Sequence, residues 1–292
     1  MKNYIFKYYG IKIDKIYEKN DRKYFFINNN KYYVIESNKD EMYINMLAEL
    51  TNKLFINNIL AYTFILNKEN KYYSIRNKNK ICILKVNELE NDLLFKDLIK
   101  FQMVMSNLPD YDIISEWENI IDTIEKEIIE YNKEFPLIRN SINYFIGLGE
   151  NAIELLNTYN SDIKKNNDSI GHIVENGEFN LNNPFLFIKT NRMYDISNYI
   201  KYKFYNNKID YSEIERILEM INSDYERIFL FASLLYPSFY FDTLKEIINN
   251  KVPEKNIKKY IDKAKDYKNL LVYIQRIFKN VNEICLINWI SE

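Results

Sequence analysis

Short runs of apolar residues separated by polar turns fill the first part of the chain, a pattern typical of β-strands. Two runs rich in β-branched and aromatic residues, 23–27 and 31–36, flank the turn-forming triplet Asn28–Asn30 and predict a hairpin. From Asp40 to Leu54, apolar residues at spacings of three and four predict a helix. A β-meander is predicted from the β-prone runs 61–66, 72–76 and 81–86.

Beyond residue 87 the apolar spacing becomes that of amphipathic helices. The clearest stripe runs from Ile113 to Tyr131. Further helices are predicted from the stripes at 214–228 and 257–278, and exposed loops at 160–169 and 205–208.

These elements predict an α+β protein in two parts. The β-rich amino-terminal lobe, 1–87, is predicted to contain a strand, the hairpin, the helix and the meander. The carboxy-terminal lobe, 88–292, is predicted to be mainly helical.

Composition restricts the class of protein. With 292 residues, 47% of them apolar, the chain can bury a full core. The formal charge is −1, so no overall field would attract nucleic acid or an anionic membrane. Nowhere do about 18 apolar residues follow one another, as a membrane-spanning helix requires. We therefore expect a soluble, intracellular protein without nucleic-acid or membrane partners.

Cysteine and histidine are too sparse to predict a metal site. Cys82 and Cys285 lie far apart, and His172 is the single histidine. We expect both cysteines to be packing residues. Carboxylate pairs on predicted amphipathic helices are expected to be solvated faces; they are Glu116 with Glu118, Asp122 with Glu125, and Glu213 with Glu215.

Three short segments resemble one known family. Gly147–Glu154 matches a Gly-x-x-Glu-x-Ala-Ile run, Tyr194–Ile200 is similar to an Arg-Asp-Leu-Ala-x-Trp-Ile helix start, and Phe231–Phe241 to a Leu-Leu-Tyr/Phe-Pro-x-x-Tyr-Phe signature. Trp117 lies where the family has a Trp in a long helix. The chain thus resembles YutH- and CotS-type spore-coat-associated proteins of the aminoglycoside phosphotransferase and choline kinase-like family.

The resemblance implies a two-lobed protein-kinase-like fold, a location in the cytoplasm or the spore coat, and protein partners such as spore coat components. The aromatic residues of 234–241 have two open interpretations, which are packing between helices and a surface that docks a partner.

The resemblance also indicates where catalytic residues should lie. Active members have a lysine at the end of the third strand, where this chain has Glu36, and Lys31 and Lys85 are better explained as solvated strand ends. In the loop that reads His-Gly-Asp in active members, His172 matches the histidine and Val174 takes the place of the aspartate. A valine cannot accept a proton from the substrate hydroxyl.

The remaining catalytic positions are also altered. Phe179, not asparagine, follows Val174 by five positions, although Asn180 is adjacent. The segment 183–188 contains no carboxylate for a metal ion, and Asp195 matches a structural aspartate of the family.

We therefore predict a pseudokinase that serves as a binding or assembly module, without a cofactor. Two alternatives remain. One is an active small-molecule kinase that uses ATP and Mg²⁺, with Glu175 as base and Asn180 on the metal. The other is a nucleotide-binding regulator.

Overall fold

A computed structural model describes residues 1–19, 22–87, 93–131, 134–159 and 169–281. The helices are α1 (Lys2–Tyr9), α2 (Glu41–Ile56), α3 (Phe95–Gln102), α4 (Ile113–Tyr131), α5 (Pro136–Thr158), α6 (Met193–Tyr205), α7 (Tyr211–Glu219), α8 (Asp224–Leu235), α9 (Ser238–Ile248), α10 (Lys258–Asp262) and α11 (Ala264–Val281). The strands are β1 (Tyr17–Lys19), β2 (Arg22–Ile27), β3 (Asn30–Ser37), β4 (Thr63–Phe64), β5 (Ser74–Arg76), β6 (Asn79–Lys85), β7 (Ser169–His172) and β8 (Phe187–Thr190).

The chain divides into two compact units. The first contains Met1–Pro109 and Asn180–Phe187, and the second contains Asp110–Phe179 and the chain from Ile188 onward. An antiparallel sheet dominates the first unit and helices dominate the second, so the predicted α+β class is confirmed. The predicted boundary after residue 87 follows the end of the sheet, whereas the compact unit continues through helix α3.

The sheet of the first unit has the order β1-β2-β3-β6-β4, and β5 also pairs with β6. The hairpin of β2 and β3 is confirmed, with Ile27 opposite Asn30. Asn28 and Asn29 have φ values of 46° and 64°. Two consecutive left-handed residues match a type I′ turn, which joins strands without splaying them, and asparagine tolerates this conformation.

Two details of the predicted first lobe are wrong. The strand predicted before the hairpin is β1, but helix α1 precedes it and was not predicted; Ile5 and Tyr9 lie one helical turn apart and are buried together. Gly10, with a φ of 73°, ends this helix in the left-handed conformation that glycine favours. The second detail is the meander, because β4 and β5 each pair with β6 and not with one another.

The two faces of this sheet pack against different helices. On one face, Val34 and Ile83 join Ile5 of α1 in a buried cluster. On the other face, Ile35 and Cys82 pack with Ile44 of α2. Successive residues of β3 therefore face α1 and α2 in turn. This alternation determines which helix a side chain at the carboxyl end of β3 faces.

The second unit contains the helix predicted at 113–131, and α4 has those bounds. The stripe at 214–228 forms two helices, α7 and α8, because the chain turns between Glu219 and Asp224. The stripe at 257–278 is likewise divided between the 3-10 turn Glu254–Ile257, α10 and α11. Of the loop predicted at 160–169, residues 160–168 lie outside the described residues, as does Cys285, and Ser169 begins β7. Among the described helices, none is long and apolar enough to cross a membrane.

The motifs of the second unit are explained by close packing. Trp117 of α4 stacks on Tyr236 with ring centroids 4.1 Å apart. A Cβ at Gly149 of α5 would lie 2.8 Å from Ile121 Cδ1, so any other residue there would require the Ile121 side chain to move. Large aromatic side chains of the segment 234–241 are almost fully buried, including Tyr240 and Phe241 at 1% exposure. Of the two interpretations of this segment, packing between helices is therefore the one that its aromatic residues fit, and they do not form a docking surface.

Candidate functional site

Strand β7 and helix α6 bring together the histidine and aspartate singled out in the sequence. His172 Nδ1 lies 2.5 Å from Asp195 Oδ2, and the backbone N–H of His172 donates to Asp195 Oδ1 at 2.7 Å. Both side chains are fully buried. A carboxylate has only acceptor atoms, so Nδ1 carries the hydrogen of this contact. Asp195 therefore fixes both the backbone and the ring of His172.

Val174, the residue at the aspartate's place, is only 5% exposed, and Phe179 is 6% exposed. Between them the chain makes a tight turn, in which Glu175 and Glu178 exchange backbone hydrogen bonds of 3.0 and 3.1 Å. Asn176 and Gly177, at the tip, have φ values of 56° and 65°. This pattern is again a type I′ turn. The altered loop is thus a regular hairpin turn that starts from a buried valine.

Asp242 of α9 holds the tip of this turn and was missed by the sequence analysis. Its Oδ2 accepts the backbone N–H of Gly177 at 2.5 Å. Desolvation raises the pKa of Asp242 to about 7, helped by Glu246 and Glu175 and opposed by the Gly177 N–H and by Lys245. A carboxyl group with this pKa exchanges protons near neutral pH. Asp242 is far from the loop in sequence, so spacing alone could not have indicated it.

The two groups of the relocated-kinase alternative belong to different units, Glu175 to the second and Asn180 to the first. Asn180 Oδ1 accepts the N–H of Asn182 at 2.8 Å, and its Nδ2 donates to the hydroxyl of Tyr62 at 3.4 Å. Its side chain thus already has partners within the first unit. Asn180 could bind a metal ion only if its side chain gave up its hydrogen bonds with Asn182 and Tyr62.

Glu36 lies on the α1 face of the sheet, since it alternates with Ile35, which faces α2. It is exposed, and Asn79 Nδ2 donates to Oε1 at 2.8 Å. In active kinases the strand lysine pairs with a glutamate of the helix that corresponds to α2, so it must lie on the helix side. Glu36 therefore lies on the opposite face of the sheet from the face that the strand lysine of active kinases uses. The α2 face at the end of β3 presents Tyr33, Ile35 and Ser37.

Lys31 and Lys85, the two lysines considered as substitutes in the sequence analysis, lie on opposite faces of the sheet. Lys31 lies on the α2 face, and its Nζ is 4.9 Å from the ring centroid of Tyr33 and 5.3 Å from that of Tyr24. Lys85 lies opposite Tyr32 on the α1 face and is half-buried. Neither position brings a lysine to the end of β3.

The comparisons with known proteins agree with this architecture. The family described as spore coat putative kinase YutH matches residues 2–274. The chain belongs to this YutH family. A search of curated proteins finds no match.

Solved structures share the fold of this YutH-family chain at low sequence identity. An aminoglycoside phosphotransferase from Alicyclobacillus acidocaldarius subsp. acidocaldarius DSM 446 has a TM-score of 0.65 and 9% identity, covering 96% of this chain and 97% of the other. A spectinomycin phosphotransferase, in complex with ADP and spectinomycin, has a TM-score of 0.59 and 13% identity, covering 94% and 95%. The two-part kinase-like fold predicted from the sequence is confirmed.

The segment where active kinases carry a metal-binding carboxylate is not acidic in this YutH-family chain. The segment 183–190 forms a 3-10 turn and strand β8 and contains no acidic residue. Lys189 of β8 instead pairs with Asp110 at 2.9 Å. Within the described residues, no three His, Cys, Asp or Glu side chains are grouped closely enough to hold a metal ion.

Cys82 and the exposed members of the carboxylate pairs lie as predicted, whereas Glu116 and Glu213 are half-buried. Glu118, Asp122 and Glu125 of α4 are exposed and line a groove of about 660 Å³, shared with Glu150 and Glu154 of α5. Glu213 accepts a hydrogen bond from Tyr199, and Glu215 from Tyr273. Cys82 is fully buried, and burial raises the pKa of its thiol to about 12. This thiol stays protonated at neutral pH, as expected for a packing residue.

Proposed function

We propose that this protein is a pseudokinase of the spore coat, which uses a kinase-like scaffold to bind coat components and does not transfer phosphate. The observation that carries the proposal is the buried Val174 beside an intact His172–Asp195 contact. The contact that shapes the loop is kept, while the residue that would accept a proton is an aliphatic side chain without acid–base chemistry.

The charge requirements of phosphoryl transfer support the same function. The reaction depends on a lysine at the phosphates, a base at the acceptor hydroxyl and carboxylates on magnesium. The end of β3 presents Tyr33, Ile35 and Ser37 toward α2, Val174 replaces the base, and 183–190 has no acidic residue. Each group contributes separately to alignment or charge stabilisation, so joint loss removes most of the catalytic effect.

A second candidate, an active small-molecule kinase, is favoured by one observation. Asp242 contacts the turn at Gly177, and its pKa of about 7 suits a general base at neutral pH. In this alternative, Asp242 takes the role that the sequence analysis gave to Glu175.

Thermal unfolding with and without millimolar Mg-ATP, followed by a phosphorylation screen of small hydroxyl compounds, separates these functions. We expect no turnover from the wild-type protein. Turnover that is lost in either Glu175→Gln or Asp242→Asn would overturn the pseudokinase proposal, and the variant that loses it identifies the base. A magnesium-dependent rise of several degrees in Tm without turnover would support the nucleotide-binding regulator instead.

The coat assignment is tested separately. Immunoblots of fractionated spores, with this chain detected in each fraction, should place it in the coat extract. Detection in the core fraction alone would contradict a role in coat assembly.

A further inference from the structure

A second concavity in the second unit opens beside the turn of the altered loop. It has a volume of about 300 Å³, at the lower end of the range for small-molecule sites. Its lining residues come from the turn, from α9 and from the segment around the 3-10 turn; they are Asn176, Gly177, Thr243, Glu246, Val252, Lys255, Asn256 and Lys259.

Two lysines place like charges on one wall of this pocket. Lys255 and Lys259 are four positions apart, on the 3-10 turn and on α10. Both lysines are exposed residues on consecutive elements, and their like charges repel each other. Neither ammonium forms an ion pair with a residue in the described part of the chain; the contact of Lys259 is with the ring of Tyr260, 4.7 Å away.

The acidic residue of the lining does not neutralise these lysines. Glu246 forms its ion pair with Lys251, at 3.1 Å. Burial lowers the pKa of Lys259, an effect that Lys263 increases and that Glu178 and Asp242 oppose. The charged form of Lys259 is therefore only partly compensated by Glu178 and Asp242, and a bound anion would stabilise it further.

Neutral polar groups complete the pocket. The Thr243 hydroxyl lies 3.1 Å from the hydroxyl of Tyr260, and Asn256 also lines the pocket. The turn itself approaches closely, since a Cβ at Gly177 would lie 3.2 Å from Thr243 Oγ1 and 3.8 Å from Lys259 Nζ. Glycine keeps this corner open for an oxygen atom.

We propose that this pocket binds the phosphate group of a small molecule, or inorganic phosphate, between Lys255 and Lys259. A phosphate monoester carries a charge of about −1.5 to −2 and three acceptor oxygens, which match two ammonium groups and neighbouring donors better than a singly charged carboxylate does. Lysine binds phosphate as a point charge. The site does not depend on phosphate transfer and goes beyond the pseudokinase role.

The test is calorimetric titration of the full chain with inorganic phosphate, glucose 6-phosphate and acetate, at constant ionic strength maintained with chloride. We expect both phosphates to bind more tightly than acetate. In the Lys255→Gln/Lys259→Gln variant, their Kd values should rise by about ten-fold or more. Tighter binding of glucose 6-phosphate than of phosphate identifies an ester as the source, and equal binding identifies the free ion.

The matched control is Lys258→Gln/Lys265→Gln, which removes the same charge from exposed lysines outside the pocket. It should bind phosphate as the wild type does. In two-dimensional NMR, the amide signals of Gly177 and Asn256 should shift with phosphate in the control but not in the Lys255/Lys259 variant. Absence of phosphate binding to the wild type, or equal weakening in both double variants, would overturn the proposal.

This result is independent of the nucleotide experiment. If ATP raises the Tm of the wild type but not that of the Lys255→Gln/Lys259→Gln variant, ATP binds in this pocket through its phosphate groups. If the Tm of this variant still rises with ATP, the nucleotide binds at another site. That result tests the pseudokinase proposal and not the phosphate pocket.

Discussion

The two halves of the altered loop differ in what holds them. The first half, at the end of β7, is fixed by the fully buried contact of His172 with Asp195. The second half is a type I′ turn at Asn176 and Gly177, tied to the half-buried Asp242. The first half contains the histidine and aspartate that the family resemblance implies, and Val174 stands before the second half where the resemblance implies an aspartate. The two halves therefore depend on different kinds of contact, a buried side-chain pair in the first and a backbone turn in the second.

Removal of the Asp195 carboxylate should have the largest effect. Asp195→Ala leaves the ring and backbone N–H of His172 buried without their acceptor, and breaking a buried pair in this way costs about 3–5 kcal/mol. The free energy of unfolding, measured in urea, should fall by that amount. Asp262→Ala, at an exposed position of α10, should change it by no more than about 0.5 kcal/mol. Equal losses of unfolding free energy in the two variants would contradict the view that the Asp195 contact holds the first half of the loop.

Restoring the aspartate of active kinases should come second. Val174→Asp places a carboxylate at a site that is 5% exposed, and desolvation should cost about 3 kcal/mol of unfolding free energy. The matched control Val174→Thr adds one hydroxyl to nearly the same shape and should cost less. If Val174→Asp were as stable as the wild type and gained ATP turnover, the loop would be one substitution away from catalysis.

The Asp242 contact predicts a pH-dependent effect of about 2 kcal/mol, because the rise of its pKa from near 4 to about 7 corresponds to about 4 kcal/mol and solvent screening of this half-buried carboxyl reduces it. The folded-state pKa of about 7 lies above the usual value near 4, so the folded protein binds this proton more tightly and wild-type stability falls as the pH rises from about 4 to 7. Asp242→Asn keeps an acceptor for the Gly177 N–H and removes the charge. It should be more stable than the wild type at pH 8 and lose this advantage toward pH 4. Urea unfolding at several pH values measures the difference, and a constant difference would contradict the raised pKa.

Much of the fold could be predicted because local patterns determined it. The bounds of α4 follow from one continuous apolar stripe, and the hairpin at Asn28 follows from turn chemistry. Helix α1 was missed because a short helix with two buried side chains, Ile5 and Tyr9, has little periodicity to detect. Local patterns also do not show that β4 and β5 share one partner strand.

The site was predictable only where it is local in sequence. His172 and Val174 could be located from a short motif, whereas the contact of Gly177 with Asp242 joins distant segments. The sheet face of Glu36 depends on which helix covers each side of the sheet, so the strand alone could not decide it.

Substitutions at the tip of the turn should change the unfolding free energy least. They test whether the left-handed backbone or side-chain contacts hold the turn. Gly177→Ala forces a Cβ into a left-handed position, at φ 65° and 3.2 Å from Thr243 Oγ1, and should cost about 1 kcal/mol of unfolding free energy. Asn176→Gly, at φ 56°, relieves a similar conformation and should change stability by at most about 0.5 kcal/mol. If both substitutions destabilised equally, side-chain contacts and not the left-handed backbone would hold the turn, and the second half of the loop would resemble the first.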